Sequence, residues 1–540
     1  MSAFVTAWAG LGDEAHVSVA ASGAAAEAVA SHLDALVADK VASRIAAKDA
    51  TLWGKDAEAE SRVRLGWTDV YETTRSLLPQ LGELTSALRA EGKTRVVLCG
   101  MGGSSLGPEV IARTNEIPLV VLDSTDPDEV RGALAGDLAS TVVVVSSKSG
   151  GTVETDSQRR AFEAAFVEAG LDPRQHIVVV TDPGSPLEKA SREAGYRAVF
   201  LADPNVGGRF SVLSAFGVVP SALAGVDVAA LLDEAAAVAP SFAEDDAANP
   251  ALVLGAAMCA PGRDKLVFRD DASGLVGLPD WAEQLIAEST GKNGVGLLPV
   301  VVEGEAPEVG QPDVADVRIA ALDAAPEGDI AVAGTLGGQF LLWEYATAIA
   351  GRILAISPFD QPNVESAKIA ARGLLDATPE PEPAAFVDEG IEVRAIPASL
   401  LDGIDTVEAA LAALEGNLGD RGYLAVMAYL DREEYGPLAE VRDAIARRTS
   451  RPVTFGWGPR FLHSTGQLHK GGAPVGVFLQ ITGTFAEDLP IPDRPFTFGT
   501  LISAQATGDA KVLAEHDRPV LRFTLTEASQ LARLRELLER

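Results

Sequence analysis

A chain of 540 residues is longer than one ordinary hydrophobic core supports, and its 47% hydrophobic and 22% charged residues exclude a disordered chain. A formal net charge of −33 repels phosphate backbones and anionic membrane surfaces, so no nucleic acid and no membrane is expected as a partner, and any anionic ligand needs local cations. Two cysteines, Cys99 and Cys259, are too few and too far apart for a disulfide framework or a cysteine zinc site, which points to a reducing, cytoplasmic setting.

The first residues carry no basic n-region before Asp13 and Glu14, and no apolar run is long enough to span a bilayer, so no export signal is expected. Residues 1–90 are predicted to be a helical N-terminal segment, because alanine and leucine dominate from SGAAAEAVASHLDALVADK through SLLPQLGELTSALRAEG. From Arg95 the texture changes. RVVLC, PLVVL, TVVVVS, HIVVVT and YRAVF are short β-branched runs separated by helix-length stretches. This pattern predicts an α/β fold, a doubly wound parallel sheet over residues 91–230.

A second, less regular α/β block follows over residues 231–376, with strands KLVFRD, GLLPVVV, DVRIAAL and DIAVAG and a long helix FLLWEYATAIAGRILAI. DATPEPEPAAF is rich in proline and acid and marks an exposed connection. Residues 385–540 then give strands GYLAVMAYL, PVTFGWG and VGVFLQIT, a looser β-rich tail after Ile481 and a final helix, TEASQLARLRELLER.

Two loops carry the first chemical signal. After the first strand, CGMGGSSLGPEV opens a helix with Gly100, Gly102, Gly103 and Gly107, and amides at a helix N-terminus favour an anion. A dinucleotide site is the rival reading, but Ser105 stands where GxGxxG needs its third glycine. The third strand ends in SSKSGGTVET, clustering Ser147, Lys148, Ser149 and Thr152. Loops after strand carboxyl ends meet at one crevice in such a sheet, so the pair predicts a phosphate cradle; alone, a serine-rich loop is an ordinary cap or turn.

Three further segments are candidates. NVGGRFSVLSAFG places Arg209 after a glycine pair, where a guanidinium can hold an oxyanion, although an isolated arginine is more often a surface ion pair. DWAEQLIAESTGKNG puts Glu288 in the last turn of an amphipathic helix, where a carboxylate is electrostatically disfavoured, and local rules broken this way often mark function. Glu283 reads as an ordinary solvated acid. SPFDQPNVESAKIAARG brings Gln361 and Lys368 to the start of another helix.

GMGGSSLGP, SSKSGGTVET, VGGRFSVLSAFG, AESTGKNG and PFDQPNVESAK, spread over residues 100–368, resemble in that order the segments of glucose-6-phosphate isomerase, a family built from two sugar-isomerase (SIS) domains. The resemblance implies that Gly103, Ser104, Ser147, Lys148, Ser149 and Thr152 hold a sugar phosphate and that Arg209 steadies an enediolate. It further implies that Glu288 shuttles a proton between carbons 2 and 1, that Gln361 lies in the site, and that Lys368 assists ring opening. The substrates implied are glucose 6-phosphate and fructose 6-phosphate, with no cofactor and a homodimeric assembly. A bifunctional glucose/mannose-6-phosphate isomerase and a non-catalytic phosphosugar-sensing regulator are the alternatives; the acidic charge and the lack of a recognisable helix-turn-helix weigh against the regulator.

The family also uses a histidine segment between the base glutamate and the lysine, yet no histidine lies between Glu288 and Lys368 here. HSTGQLHKGG, far downstream, is similar to that segment, which puts His463 at the ring-opening position and His469 at the second histidine. The expectation is therefore a rearranged C-terminal part, residues 385–540, that completes the second domain, an order that also resembles the isomerase half of transaldolase/isomerase fusions. A zinc site is disfavoured, because histidines six residues apart on a helix point about 120° away from each other.

Overall fold

The computed structural model describes residues 4–540 except 13, 378–381, 486 and 528, and leaves aside the side chains of 364, 365, 367, 368, 376 and 377. The chain is α/β, with three sheets. The N-terminus departs from the helical expectation. β1 (Phe4–Leu11) and β2 (Glu14–Ser22) form an antiparallel hairpin, and only then does the alanine-rich run become helix Gly23–Ala38. The reason is alternation: Ala7, Ala9, Val17 and Val19 are buried while Phe4 and Trp8 are exposed, a period of two that alanine content masked.

β3 (Arg95–Gly100), β4 (Val120–Leu122), β5 (Thr141–Ser146), β6 (Ile177–Thr181) and β7 (Ala198–Leu201) make an all-parallel sheet in the order β4-β3-β5-β6-β7. β5 and β6 are buried along their whole length, as expected of strands covered on both faces. β3 lies between β4 and β5, and the chain runs from it to β4 on one side and then crosses back to β5 on the other, so the loops after β3 and β5 flank the switch point of the sheet.

β8 (Lys265–Asp271), β9 (Leu298–Val302), β10 (Val314–Ala320) and β11 (Ile330–Gly334) are mutually parallel, and the N-terminal hairpin adds to them antiparallel, giving β1-β2-β11-β10-β8-β9. The C-terminal part, expected to complete the second domain, adds no strand to this sheet. β12 (Phe386–Asp388), β13 (Ile391–Ile396), β14 (Tyr423–Tyr429), β15 (Val453–Trp457), β16 (Gly476–Gly483) and β17 (Val520–Leu525) form a third, in the order β12-β13-β17-β16-β14-β15.

The pattern of β14 explains why. All seven of its residues are buried, so the sheet needs a cover on each face. One face builds a core of its own around Val426, Leu479 and Phe523. The other packs Tyr423, Met427 and Phe478 with Val300 of β9 and Ala287 of the helix Leu278–Thr290. Buried ion pairs lock the docking: Asp313 meets Lys265 at 3.0 Å and Arg451 of the third sheet's layer at 2.6 Å, and Glu308 pairs with Arg442. The tail after Ile481 is less strand-rich than expected, since it contains the long helix Phe498–Glu515, whose Phe498 and Leu501 pack on the first sheet. Among the described residues no helix is long and apolar enough to cross a membrane.

Candidate active site

β3 ends at Gly100, and a single 3-10 turn, Gly102–Ser104, leads into helix Leu106–Thr114. The glycines are dictated by contact. A Cβ on Gly103 would lie 1.9 Å from the carbonyl oxygen of Gly208, so this turn presses directly on the backbone beside Arg209. Gly102 has φ +55°, and a Cβ there would meet Gln284 Nε2 at 2.8 Å and the His463 carbonyl at 2.9 Å. One turn of glycines thus touches three of the segments singled out above.

β5 delivers the second loop. Ser147 Oγ donates to Thr152 Oγ1 at 3.1 Å and accepts from Gly150 N at 3.2 Å, while Ser149 Oγ accepts from Gly151 N at 3.2 Å. Thr152 then opens helix Val153–Glu168. Hydroxyls and amides of this loop therefore gather at a helix N-terminus, an arrangement suited to an anion. Lys148 is not brought to it. Its ammonium is tied to Asp182 and to the Pro204 carbonyl at 3.3 Å.

Arg209 is 3% exposed and every arm of its guanidinium is engaged. Nε donates to Ser289 Oγ at 2.7 Å, Nη2 to the carbonyls of Pro358 at 2.7 Å and Asp360 at 3.1 Å, and Nη1 to Gln361 Oε1 at 2.5 Å. Nη1 also lies 3.1 Å from Glu288 Oε1. Burial pulls the Arg209 pKa below the ordinary guanidinium value, against the opposing pull of Glu288 and Asp360. Lys292, passed over in the sequence, is 2% exposed and holds Asp360 Oδ1 at 2.6 Å. Burial first, and the Arg209 charge second, push its ammonium down to about 8. Glu288, Arg209 and Lys292 thus form one buried cluster that the exposed Gln361 joins from the rim, with Lys292 pinning the 360–361 loop.

His463 arrives from the third sheet. It closes the 3-10 turn Arg460–His463 after β15, and its Nε2 lies 3.2 Å from Glu154 Oε1 in the first turn of Val153–Glu168. Gln505 of the tail helix also donates to Glu154 Oε1, at 2.7 Å. Gln284 Nε2 donates both to Glu288 Oε2 at 3.2 Å and to the His463 carbonyl at 2.6 Å, so a single amide links the carboxylate and the histidine turn. Behind it, Gln467 Nε2 donates to the Gly291 carbonyl and to Asn363 Oδ1, each at 2.8 Å. The histidine segment is therefore wedged between the Glu288 turn and the 361–363 loop, although it belongs to a separate sheet.

His469 is not brought into this cluster. It is buried, its Nδ1 lies 2.9 Å from Tyr423 OH, and burial, with help from Lys470 and Arg518, pushes its imidazole down to about 3. Lys368 falls on helix Val364–Ala377, its side chain outside the described residues. Among the described residues no group of three or more His, Cys, Asp or Glu side chains is arranged to hold a metal.

Comparison with known proteins points to one family. A family model for phosphoglucose isomerase matches residues 67–292. A glucose-6-phosphate isomerase of Synechococcus sp. (strain JA-3-3Ab) is 38% identical over 213 residues, 37% of this chain and 40% of that one, so the match spans less than half of that relative's length. A probable glucose-6-phosphate isomerase of Methanococcus maripaludis is 30% identical over 383 residues, 59% of this chain and 86% of that one. Among solved structures, a hypothetical protein of Thermus thermophilus superimposes with a TM-score of 0.54 at 27% identity, covering 65% of this chain and 96% of that one. With the glycine turn, the serine loop, Arg209 and Glu288 all inside the matched segment, and 86% of the Methanococcus protein aligned, the chain belongs to the glucose-6-phosphate isomerase family.

Proposed function

We propose that this chain interconverts glucose 6-phosphate and fructose 6-phosphate by ring opening and a cis-enediolate, in a site shared by three sheets. The observation that carries the reading is the Gln284 bridge, which places the His463 turn and the Glu288 carboxylate on either side of one amide. The sugar phosphate is held by Gly103 and Ser104 with Ser147, Ser149 and Thr152, at two helix N-termini. Anchoring the phosphate fixes the reacting carbons, so remote binding is converted into orientation. His463, backed by Glu154, moves a proton between the carbon 1 hydroxyl and the ring oxygen, with Lys368 assisting.

Glu288 then takes the proton from carbon 2 and returns it to carbon 1. Negative charge appears on the enediolate oxygens as Glu288 becomes neutral. Arg209 Nη1, shared by Glu288 and Gln361, is the nearest fixed cation able to follow that charge. The first two sheets are read as the paired sugar-isomerase layers and the third as the carrier of the histidine. His463 reaches the Glu288 helix within one chain through the Gln284 amide, and a homodimer is the assembly the resemblance implies.

Glu288→Gln keeps the shape and the contact with Gln284 but removes the base. We expect at least a 10³-fold loss of turnover and of solvent-proton exchange at carbon 2, with fructose 6-phosphate still bound, since acid–base catalysis is typically worth roughly 10²–10⁴. A coupled assay together with exchange measured by NMR checks both. Full exchange in the variant would remove Glu288 as the base.

A further inference from the structure

A pocket of about 510 Å³ borders the serine loop. Its wall includes Gly150, Gly151 and Val153 but not Ser147, Ser149 or Thr152. Four arginines converge on it from three separate parts of the chain: Arg159 and Arg160 on helix Val153–Glu168, Arg372 on helix Val364–Ala377, and Arg494 from the loop before Phe498. Among the described residues of the wall, Asp156 is the one carboxylate.

Asp156 neutralises only part of this charge. It accepts from Arg159 Nη2 and Arg160 Nε at 2.8 Å each, and from Arg494 Nη2 at 2.6 Å. Burial works against its charge, yet those bonds hold its pKa at about 2. Glu163 takes a further bond from Arg159 at 2.8 Å, and the exposed Asp493 lies 3.4 Å from Arg160. Arg372 has no hydrogen-bond or ion-pair partner among the described residues. Leu187, Leu375 and Phe496 add apolar wall. In a chain carrying −33, a cationic pocket of this size is the opposite of what its surroundings would favour.

We infer that this pocket binds a small phosphate-bearing molecule with an apolar body, at a site separate from the sugar-phosphate cradle. Guanidinium forks match phosphate oxygens two at a time, and the apolar wall covers the remainder of the ligand. An occupant would rest against Gly150 and Gly151, the backbone of the loop that carries the cradle hydroxyls.

Phenyl phosphate is the probe. Isothermal titration of the full chain is expected to show a binding event that Arg372→Glu/Arg494→Glu weakens at least tenfold and that Ser149→Ala leaves intact. Inorganic phosphate should bind at this site at least tenfold more weakly than phenyl phosphate. Both arginines are exposed, so the double variant should fold. Arg372→Gln/Arg494→Gln serves as the neutral control, with an intermediate loss, and the KM for fructose 6-phosphate should stay within twofold in both. The proposal is overturned if phenyl phosphate fails to bind, if the glutamate variant binds it as tightly as the unaltered chain, or if the event is lost with Ser149→Ala instead. A KM that rises in step with the loss would place the arginines in the cradle and equally overturn it.

Discussion

The segment HSTGQLHKGG offers two imidazoles, and their surroundings assign them different work. His463 faces a carboxylate, Glu154, whereas His469 lies in an apolar interior against Tyr423 and Phe478, where burial keeps it neutral. Ring opening requires a group that both gives and takes a proton, so His463→Ala should slow turnover of cyclic glucose 6-phosphate by roughly 10²–10³ while sparing the open-chain aldose. Stopped-flow assays on the two substrate forms check this, and equal losses on both would contradict a ring-opening role. His469→Ala should instead lower the melting temperature by opening a cavity. Both histidines stand out in the sequence, but their difference does not, because it is set by contacts 46 and 309 residues away. Glu154 was in view within SSKSGGTVET, yet an acid in the first turn of a helix is an ordinary sequence feature and gives no hint of a partner in the third sheet. Lys148 misleads in the opposite way: its neighbours form the proposed cradle, but its long side chain reaches Asp182.

Elements, rather than single side chains, set how closely the histidine segment approaches Glu288. A Cβ on Gly291 would stand 2.3 Å from Leu468 Cα and 2.4 Å from Leu468 Cβ, so backbone and side chain are already in contact there. Gly291→Ala must push helix Gly466–Gly471 away from the end of Leu278–Thr290. We expect a loss of roughly 10²-fold in kcat from a displacement on the order of 1 Å, at a stability cost of about 1–3 kcal/mol. Gly132→Ala, whose Cβ meets nothing within 4 Å, should do neither. Steady-state kinetics and thermal melts of the two variants decide it; an unimpaired Gly291→Ala enzyme would show that this contact does not position the site. At this scale the sequence is legible where strands are buried on both faces, as in TVVVVS and YLAVMAY. It is opaque where small residues dominate: FVTAWAGL hides a strand behind alanine, and FGTLISAQATGDAKVLAE hides a helix behind glycine and threonine. The pairing of the third sheet was also beyond reach, because period-two burial identifies strands and says nothing about which sheet they join.

Across the whole molecule, bringing three sheets around one site buries carboxyls that cannot all be paired, and that gives the fold a pH dependence of predictable sign. Glu344 is fully buried in helix Leu336–Ile353 with neither oxygen hydrogen-bonded among the described residues, and burial drives its pKa well above 4.5. Burial likewise pushes Glu129 up to about 8 and Asp126 up to about 7. For such raised groups the stabilising contribution is fully present below the unfolded values near 4 and is lost as pH rises through the folded ones. Glu109 behaves in the opposite way: burial opposes its charge, but Arg460 and Arg432 hold it at about 2, so its contribution is present above the unfolded value and is lost as pH falls through about 2. Together these groups place greatest stability near pH 4–5, below neutrality. Melting temperatures should therefore rise from pH 8 to pH 5.5, by roughly 5 °C if a few kcal/mol are involved. Relief of surface repulsion in a −33 chain acts in the same direction, so the slope alone does not identify its source. Glu344→Gln and Glu129→Gln separate the two, since each leaves the surface almost unaltered while removing a buried ionisation. The double variant should melt higher at pH 8, scarcely change at pH 4.5 and show a flatter profile between them; a slope identical to that of the unaltered chain would assign the pH dependence to the surface.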